Sequence, residues 1–228
     1  MSEPNTAARD RILAKVRRSL GVSEGDGARQ ANTTQRMTTK PRQPSPARTL
    51  LSPAELRAQF IGHLTRGHAR VIEVADLGGV PEGIAAYLRE TNKPARVRMG
   101  SDPRLTGLPW ERAAGLERVS GRAEPADEVA LSHALAAASE TGTLILASGP
   151  DNPVTLSFLP ETHLVVLNAA VLAGGYEDAL VLARAAMPAG SMPRTLNLIS
   201  GPSRTSDIGG KTVMGAHGPR YLAVFLVG

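Results

Sequence analysis

The chain has 228 residues, of which 42% are hydrophobic and 3% aromatic, with a formal net charge of +5. That length supports one substantial core without staples. The absence of cysteine excludes disulfides, thiolate nucleophiles, Cys-ligated zinc and Cys-held iron–sulfur clusters within these residues. No apolar run approaches ~18 residues, so no membrane span is expected. Met1 to Ser19 lacks the apolar stretch of a secretion signal, which predicts a cytoplasmic location.

The charge is uneven along the chain. Residues 1–50 carry ten Lys/Arg and four Asp/Glu, a net +6, whereas residues 51–228 carry sixteen and seventeen, a net −1. The excess lies in an N-terminal arm, and the body is nearly neutral, so no nucleic-acid partner is expected for it. An arm of this kind can touch RNA, a membrane or an acidic partner, or be a solvated tail. Thr6 to Leu20 reads as an amphipathic helix, with Ile12, Leu13, Val16 and Leu20 on one face. Gly21 to Arg48 is rich in Gly, Ser, Thr, Gln and Pro, and reads as a linker without packed structure. The predicted division is a helix in residues 1–20, a disordered linker in 21–51 and one domain in 52–228.

The body opens with Ser52-Pro53-Ala54-Glu55, a capping box with proline at the first helical position, and the helix is expected to reach about Arg66. Arg70 to Val74 reads as a strand, Val80 to Glu90 as a helix and Arg96 to Met99 as a short strand. Residues 101–128 read as irregular, with short elements near Trp110 and Leu116 to Ser120. The Ala-rich run Ser132 to Ser139 predicts a helix. Thr143 to Ala147 and His163 to Leu167 read as strands, Glu177 to Ala186 as a helix, and Leu196 to Ile199 and Tyr221 to Val227 as strands. Strands that alternate with helices and are apolar on both faces call for an α/β fold with a mainly parallel sheet flanked by helices. No GxGxxG follows the first strand, so the usual dinucleotide fingerprint is missing, and there is no P-loop.

The pattern L-x-L-x-S-G-P occurs twice, from Leu144 to Pro150 and from Leu196 to Pro202. Each copy is an apolar strand that stops at a turn signal. The second runs on into Ser203-Arg204-Thr205-Ser206-Asp207. There Thr205-Ser206-Asp207 can start a helical turn, whose free amides and the Arg204 fork suit a carboxylate or phosphate. Arg204 can equally form a salt bridge to Asp207. Glu140, before the Gly142 turn, is either a base or ligand-orienting carboxylate or a surface residue at a helix end. His217, before the last strand, can shuttle protons or shape its turn. The five histidines show no paired metal spacing, so no metal site is expected.

Five segments then combine. Glu-Thr-Gly-Thr-Leu-Ile-Leu at 140–146, Ser-Gly-Pro at 148–150, Leu-Pro-x-Thr-His at 159–163, Ile-Ser-Gly-Pro-Ser-Arg-Thr-Ser-Asp-Ile at 199–208 and Gly-x-His-Gly-Pro-Arg at 215–220 together resemble the LUD domain family, in its LutC (YkgG) branch, lactate utilization protein C. The resemblance covers about 52–228 and is densest from 140 onward. It implies a fold similar to the NagB/RpiA/CoA-transferase group, with ligands at the carboxyl ends of the strands. It also implies a part in oxidising L-lactate to pyruvate with LutA-like and LutB-like iron–sulfur proteins. The clusters would sit on those partners, with no cofactor in this chain. A small anionic ligand would lie among Thr141, Gly142, Thr143, Ser148, Gly149, Ser200, Gly201, Ser203, Arg204, Thr205, Asp207, Gly218 and Arg220. Glu140 and His217 are the candidate catalytic groups. Two alternatives stand beside this reading: a stand-alone sugar-phosphate isomerase or CoA-transferase-like enzyme with Glu140 as nucleophile or base, and a non-catalytic regulatory or assembly subunit.

Overall fold

The computed structural model describes residues 6–23, 25–39, 44–209 and 211–228, without the side chains of Asp207 and Ile208. The chain divides into two compact units, residues 1–44 and 45–228. The first holds α1 (Thr6–Leu20), as expected, and α2 (Gly27–Thr39). The second helix departs from the linker expected over Gly21 to Arg48. The Asp26 carboxylate accepts the Arg29 amide proton at 3.1 Å and caps the first turn. Thr33, Thr38 and Thr39 turn their hydroxyls back onto carbonyls of the preceding turn. Neither helix contains a buried residue.

The second unit begins ahead of α3 (Pro53–Arg66), where the expected capping box forms. Ser52 accepts from the Glu55 amide, and the Glu55 carboxylate accepts from the Ser52 backbone. The chain then runs through β1 (Arg70–Val74), α4 (Val80–Glu90), β2 (Arg96–Met99), α5 (Pro103–Thr106), β3 (Glu117–Ser120) and β4 (Val129–His133). Next come β5 (Ala136–Ala138), β6 (Thr143–Ala147), β7 (Thr162–Asn168), β8 (Leu172–Ala173), α6 (Tyr176–Ala185), β9 (Leu196–Ile199), β10 (Arg204–Ile208), β11 (Lys211–Met214) and β12 (Tyr221–Val227).

Six strands form one parallel sheet in the order β1-β12-β7-β4-β2-β3. The two-sided apolar character of β12 explains its interior place. Ala223, Phe225 and Val227 point into a core built with Val80, Ile84 and Leu88 of α4 and with Leu105, Trp110 and Leu116. Leu222, Val224 and Leu226 point the other way, toward Phe60 and Leu64 of α3. That second face is also covered by a smaller sheet, β8-β5-β6-β9, in which β6 is antiparallel to both neighbours. α6 closes the outside of the smaller sheet through Ala179 and Ala183.

The helix predicted over Ser132 to Ser139 is not formed; the run is β4 followed by β5. Alanine's helix propensity is a weak prior that packing overrides. Here Ala137 faces the α3 core while Ala136 and Ala138 face α6. Small side chains on both faces let the layers approach closely. The helical turn predicted at Thr205-Ser206-Asp207 is likewise replaced by strand β10, paired antiparallel with β11 through Arg204↔Met214 and Thr205↔Val213. The β-branched residues Thr205, Thr212 and Val213 favour that hairpin, and Gly209 supplies a positive φ of 60°.

Candidate functional site

The second Ser-Gly-Pro turn and the His217 loop converge on a cavity of about 180 Å³. Ser200, Gly201 and Ser203 line one side, and His217 and Gly218 another. Phe158, His163 and Leu222 also line it. Two glycines make the convergence possible. Gly201 has φ 152°, and a Cβ there would lie 3.1 Å from the Gly67 carbonyl oxygen; Gly142 has φ 65°, and its Cβ would lie 2.8 Å from that of His63.

The polar groups of this cavity have definite hydrogen-bonding roles. The Ser203 backbone is saturated, its N–H donating to Pro219 and its carbonyl accepting from Gly215, each at 2.8 Å. Its hydroxyl oxygen accepts the His217 amide proton at 3.2 Å, which leaves the Ser203 O–H as a donor. His163 is 0% exposed. Its Nε2 lies 3.0 Å from the Ser132 hydroxyl, and its Nδ1 has no partner. Burial pushes the His163 imidazole down to about 3, so the ring is neutral at pH 7. A buried ring nitrogen without a partner is the kind of group a bound ligand completes. No Lys, Arg, Asp or Glu lines the cavity.

Behind Ser200 stands a cluster of hydroxyls. Thr143 Oγ1 lies 2.6 Å from Ser200 Oγ, 2.7 Å from Tyr176 OH and 2.7 Å from Thr141 Oγ1. Thr141 donates to Tyr176 at 3.0 Å. Glu140 flanks this cluster but is already engaged. Its Oε2 accepts from Nε and Nη2 of Arg48, both at 2.9 Å, and its Oε1 accepts the Tyr176 amide proton. Its side chain is only 9% exposed.

The other predicted residues lie elsewhere. Ser148 and Gly149 end β6, while Ser200 ends β9. The two strands run antiparallel with Ala147 opposite Leu196 and Leu144 opposite Ile199. The two Ser-Gly-Pro turns therefore sit at opposite ends of the small sheet, roughly 17 Å apart at ~3.4 Å per residue. Ser148 instead bonds Thr195, donating its amide proton and accepting that of Thr195. Arg204 is exposed and outside the lining, and Thr205 follows it along β10. Arg220 lies with its guanidinium 5.7 Å over the Tyr221 ring. The expected Arg204–Asp207 alternative falls on a side chain outside the described residues.

The cavity also lies at an unexpected end of the large sheet. His163 and Leu222 are the second residues of β7 and β12, hence at the amino ends rather than the carboxyl ends. At the carboxyl ends of β2 and β4, the buried His133 Nδ1 also has no hydrogen-bond partner, while the nearby Asp102 is paired. Asp102 accepts two bonds from the Arg104 side chain and one from its amide. A larger hollow of about 550 Å³ lies between α4 and residues 112–116. It holds none of the predicted residues, and its Lys93 is tied to Glu161. Among the described residues no group of three His, Cys, Asp or Glu is arranged to hold a metal, and no helix is long and apolar enough to cross a membrane. His163 and Tyr176 were missed from the sequence. The signal for His163 was a lone histidine heading an otherwise apolar strand; Tyr176, 33 residues from Thr143, left none.

Residues 122–227 match the model of the LUD domain. YkgG of Escherichia coli is 37% identical over 119 residues, covering 52% of this chain and 50% of that protein. Lactate utilization protein C of Bacillus licheniformis is 29% identical over 119 residues, covering 52% and 49%. The matched stretch thus spans about half the length of these curated relatives. A crystal structure of a DUF162 family protein from Deinococcus radiodurans superposes with a TM-score of 0.58 at 24% identity, covering 78% of this chain and 99% of that one; it supports the α/β fold. Residues 122–227 are thus similar to the LUD domain, and about half of the chain is similar to YkgG and to lactate utilization protein C.

Proposed function

We propose that this chain is a cytoplasmic subunit acting in lactate utilization. It holds a small 2-hydroxy or 2-keto acid while LutA-like and LutB-like iron–sulfur proteins accept the two electrons of L-lactate oxidation. The observation that carries this reading is the convergence of Ser200, Ser203, His163 and His217 on one cavity. Its volume is below the roughly 300–1,000 Å³ of drug-sized sites, which suits a compact acid and not a dinucleotide. A carboxylate there would be held by neutral donors, the Ser203 hydroxyl first, and not by Arg204. The chain contains no cysteine, so cluster ligands would come from the partners. The stand-alone isomerase or transferase reading needs Glu140 free as a nucleophile or base, and Arg48 occupies that carboxylate.

The test is reconstitution. Candidate iron–sulfur proteins are assayed for lactate-dependent dye reduction with and without this chain. Reduction that requires all components supports the reading. Equal rates without this chain would sink it.

A further inference from the structure

The four hydroxyls behind the cavity carry a proton inventory that has one solution. Each of Thr141, Thr143, Tyr176 and Ser200 has a single hydroxyl proton to donate. Thr141 spends its proton on Tyr176. The 2.7 Å contact between Thr141 and Thr143 then has to be donated by Thr143. With its proton used, Thr143 can only accept from Tyr176 at 2.7 Å and from Ser200 at 2.6 Å. Thr141, Tyr176 and Thr143 therefore form a closed ring in which each donates to the next. Ser200 is forced to donate backwards into that ring. Thr143 is 0% exposed, with one bond donated and two accepted, so its hydrogen-bonding capacity is full.

We infer that this ring makes Ser200 a fixed hydrogen-bond acceptor toward the cavity, and that Thr141, Thr143 and Tyr176 are positioning residues that set ligand preference. Ser203 has the opposite polarity, because it accepts the His217 amide proton and retains its own. The cavity thus offers one acceptor and one donor from its two serines. A 2-hydroxy acid matches both, with its hydroxyl donating to Ser200 and a carboxylate oxygen accepting from Ser203. The corresponding 2-keto acid presents an acceptor to an acceptor at Ser200. The naming of a hydroxy acid rests on the lactate reading above; the polarity of Ser200 does not.

The experiment is ligand titration of the full chain, followed by NMR, with two donor/acceptor pairs: L-lactate against pyruvate, and uncharged isopropanol against acetone. The wild type is expected to favour the hydroxyl member of each pair ~10-fold, the order of one hydrogen bond. Tyr176→Phe opens the ring and frees Thr143 to donate to Ser200, so the preference should fall to within ~3-fold. Thr143→Ser should retain the preference, and Thr143→Val should lose it. A merely structural role for these residues would change both affinities together and leave their ratio alone. An unchanged ratio in Tyr176→Phe, or no preference in the wild type, overturns the inference. Preference for isopropanol without binding of either acid upholds the ring and sinks the lactate reading. Failure of all four probes to bind overturns both.

Discussion

Between pH 6 and pH 5 the folded state is expected to lose about 2 kcal/mol of stability, through two buried histidines. Burial pushes His163 down to about 3. It also pushes His133 down to about 4, with the Arg104 charge adding to the depression and Asp102 opposing it. In the unfolded chain both titrate near ~6.5. Above that value neither state binds the proton, and the stability is fully present. As pH falls below ~6.5 the unfolded chain gains protons that the folded protein refuses, so stability declines toward the folded values. Each ring contributes up to ~1.4 kcal/mol per pH unit in that window. Urea unfolding at pH 7, 6 and 5 measures the slope, and His163→Gln should remove about half of it. A slope of zero in the wild type would mean that these rings are not neutral and buried as described.

The second large effect concerns the end of β2. A Cβ at Gly100 would stand 1.8 Å from the Asp151 carbonyl oxygen, and Ser101 donates to the Asp151 carboxylate at 2.7 Å. The first Ser-Gly-Pro turn is thus packed backbone to backbone against the large sheet. Gly100→Ala is expected to cost ~3 kcal/mol or more, since backbone must move to admit the methyl. Gly149→Ala meets nothing within 4 Å and should stay within ~0.5 kcal/mol of the wild type. Thermal unfolding of both variants decides the point. Equal stabilities would mean that this turn is loosely held.

The elements whose sequence pattern reflects their own burial were legible. β7 and β12 are apolar on both faces because both faces are covered, and the Ser52 capping box announces α3. The Ala-rich run Ser132 to Ser139 carries no such local signal, because its strand state depends on two sheets and α6 closing around small side chains. Site residues followed the same division. Ser200, Ser203 and His217 stood out as polar groups in turns after or before strands. The separation of Ser148 from Ser200 follows from the antiparallel pairing of β6 with β9, which no local pattern in either copy encodes. Arg204 looked like an anion ligand beside Ser203, but on a strand neighbouring side chains point to opposite sides. Ser203 lines the cavity and Arg204 does not.

The proposed ligand site lies at the amino ends of β7 and β12, and the histidines can report on it directly. The chain has five, of which His163 and His217 line the cavity and His133 lies at the carboxyl end of β4. In ¹⁵N-histidine-labelled protein, adding L-lactate should shift the imidazole signals of His163 and His217 and leave that of His133 in place. A saturable shift confined to His133, with His163 and His217 unmoved, would put the ligand at the carboxyl ends of the strands and contradict the proposed site.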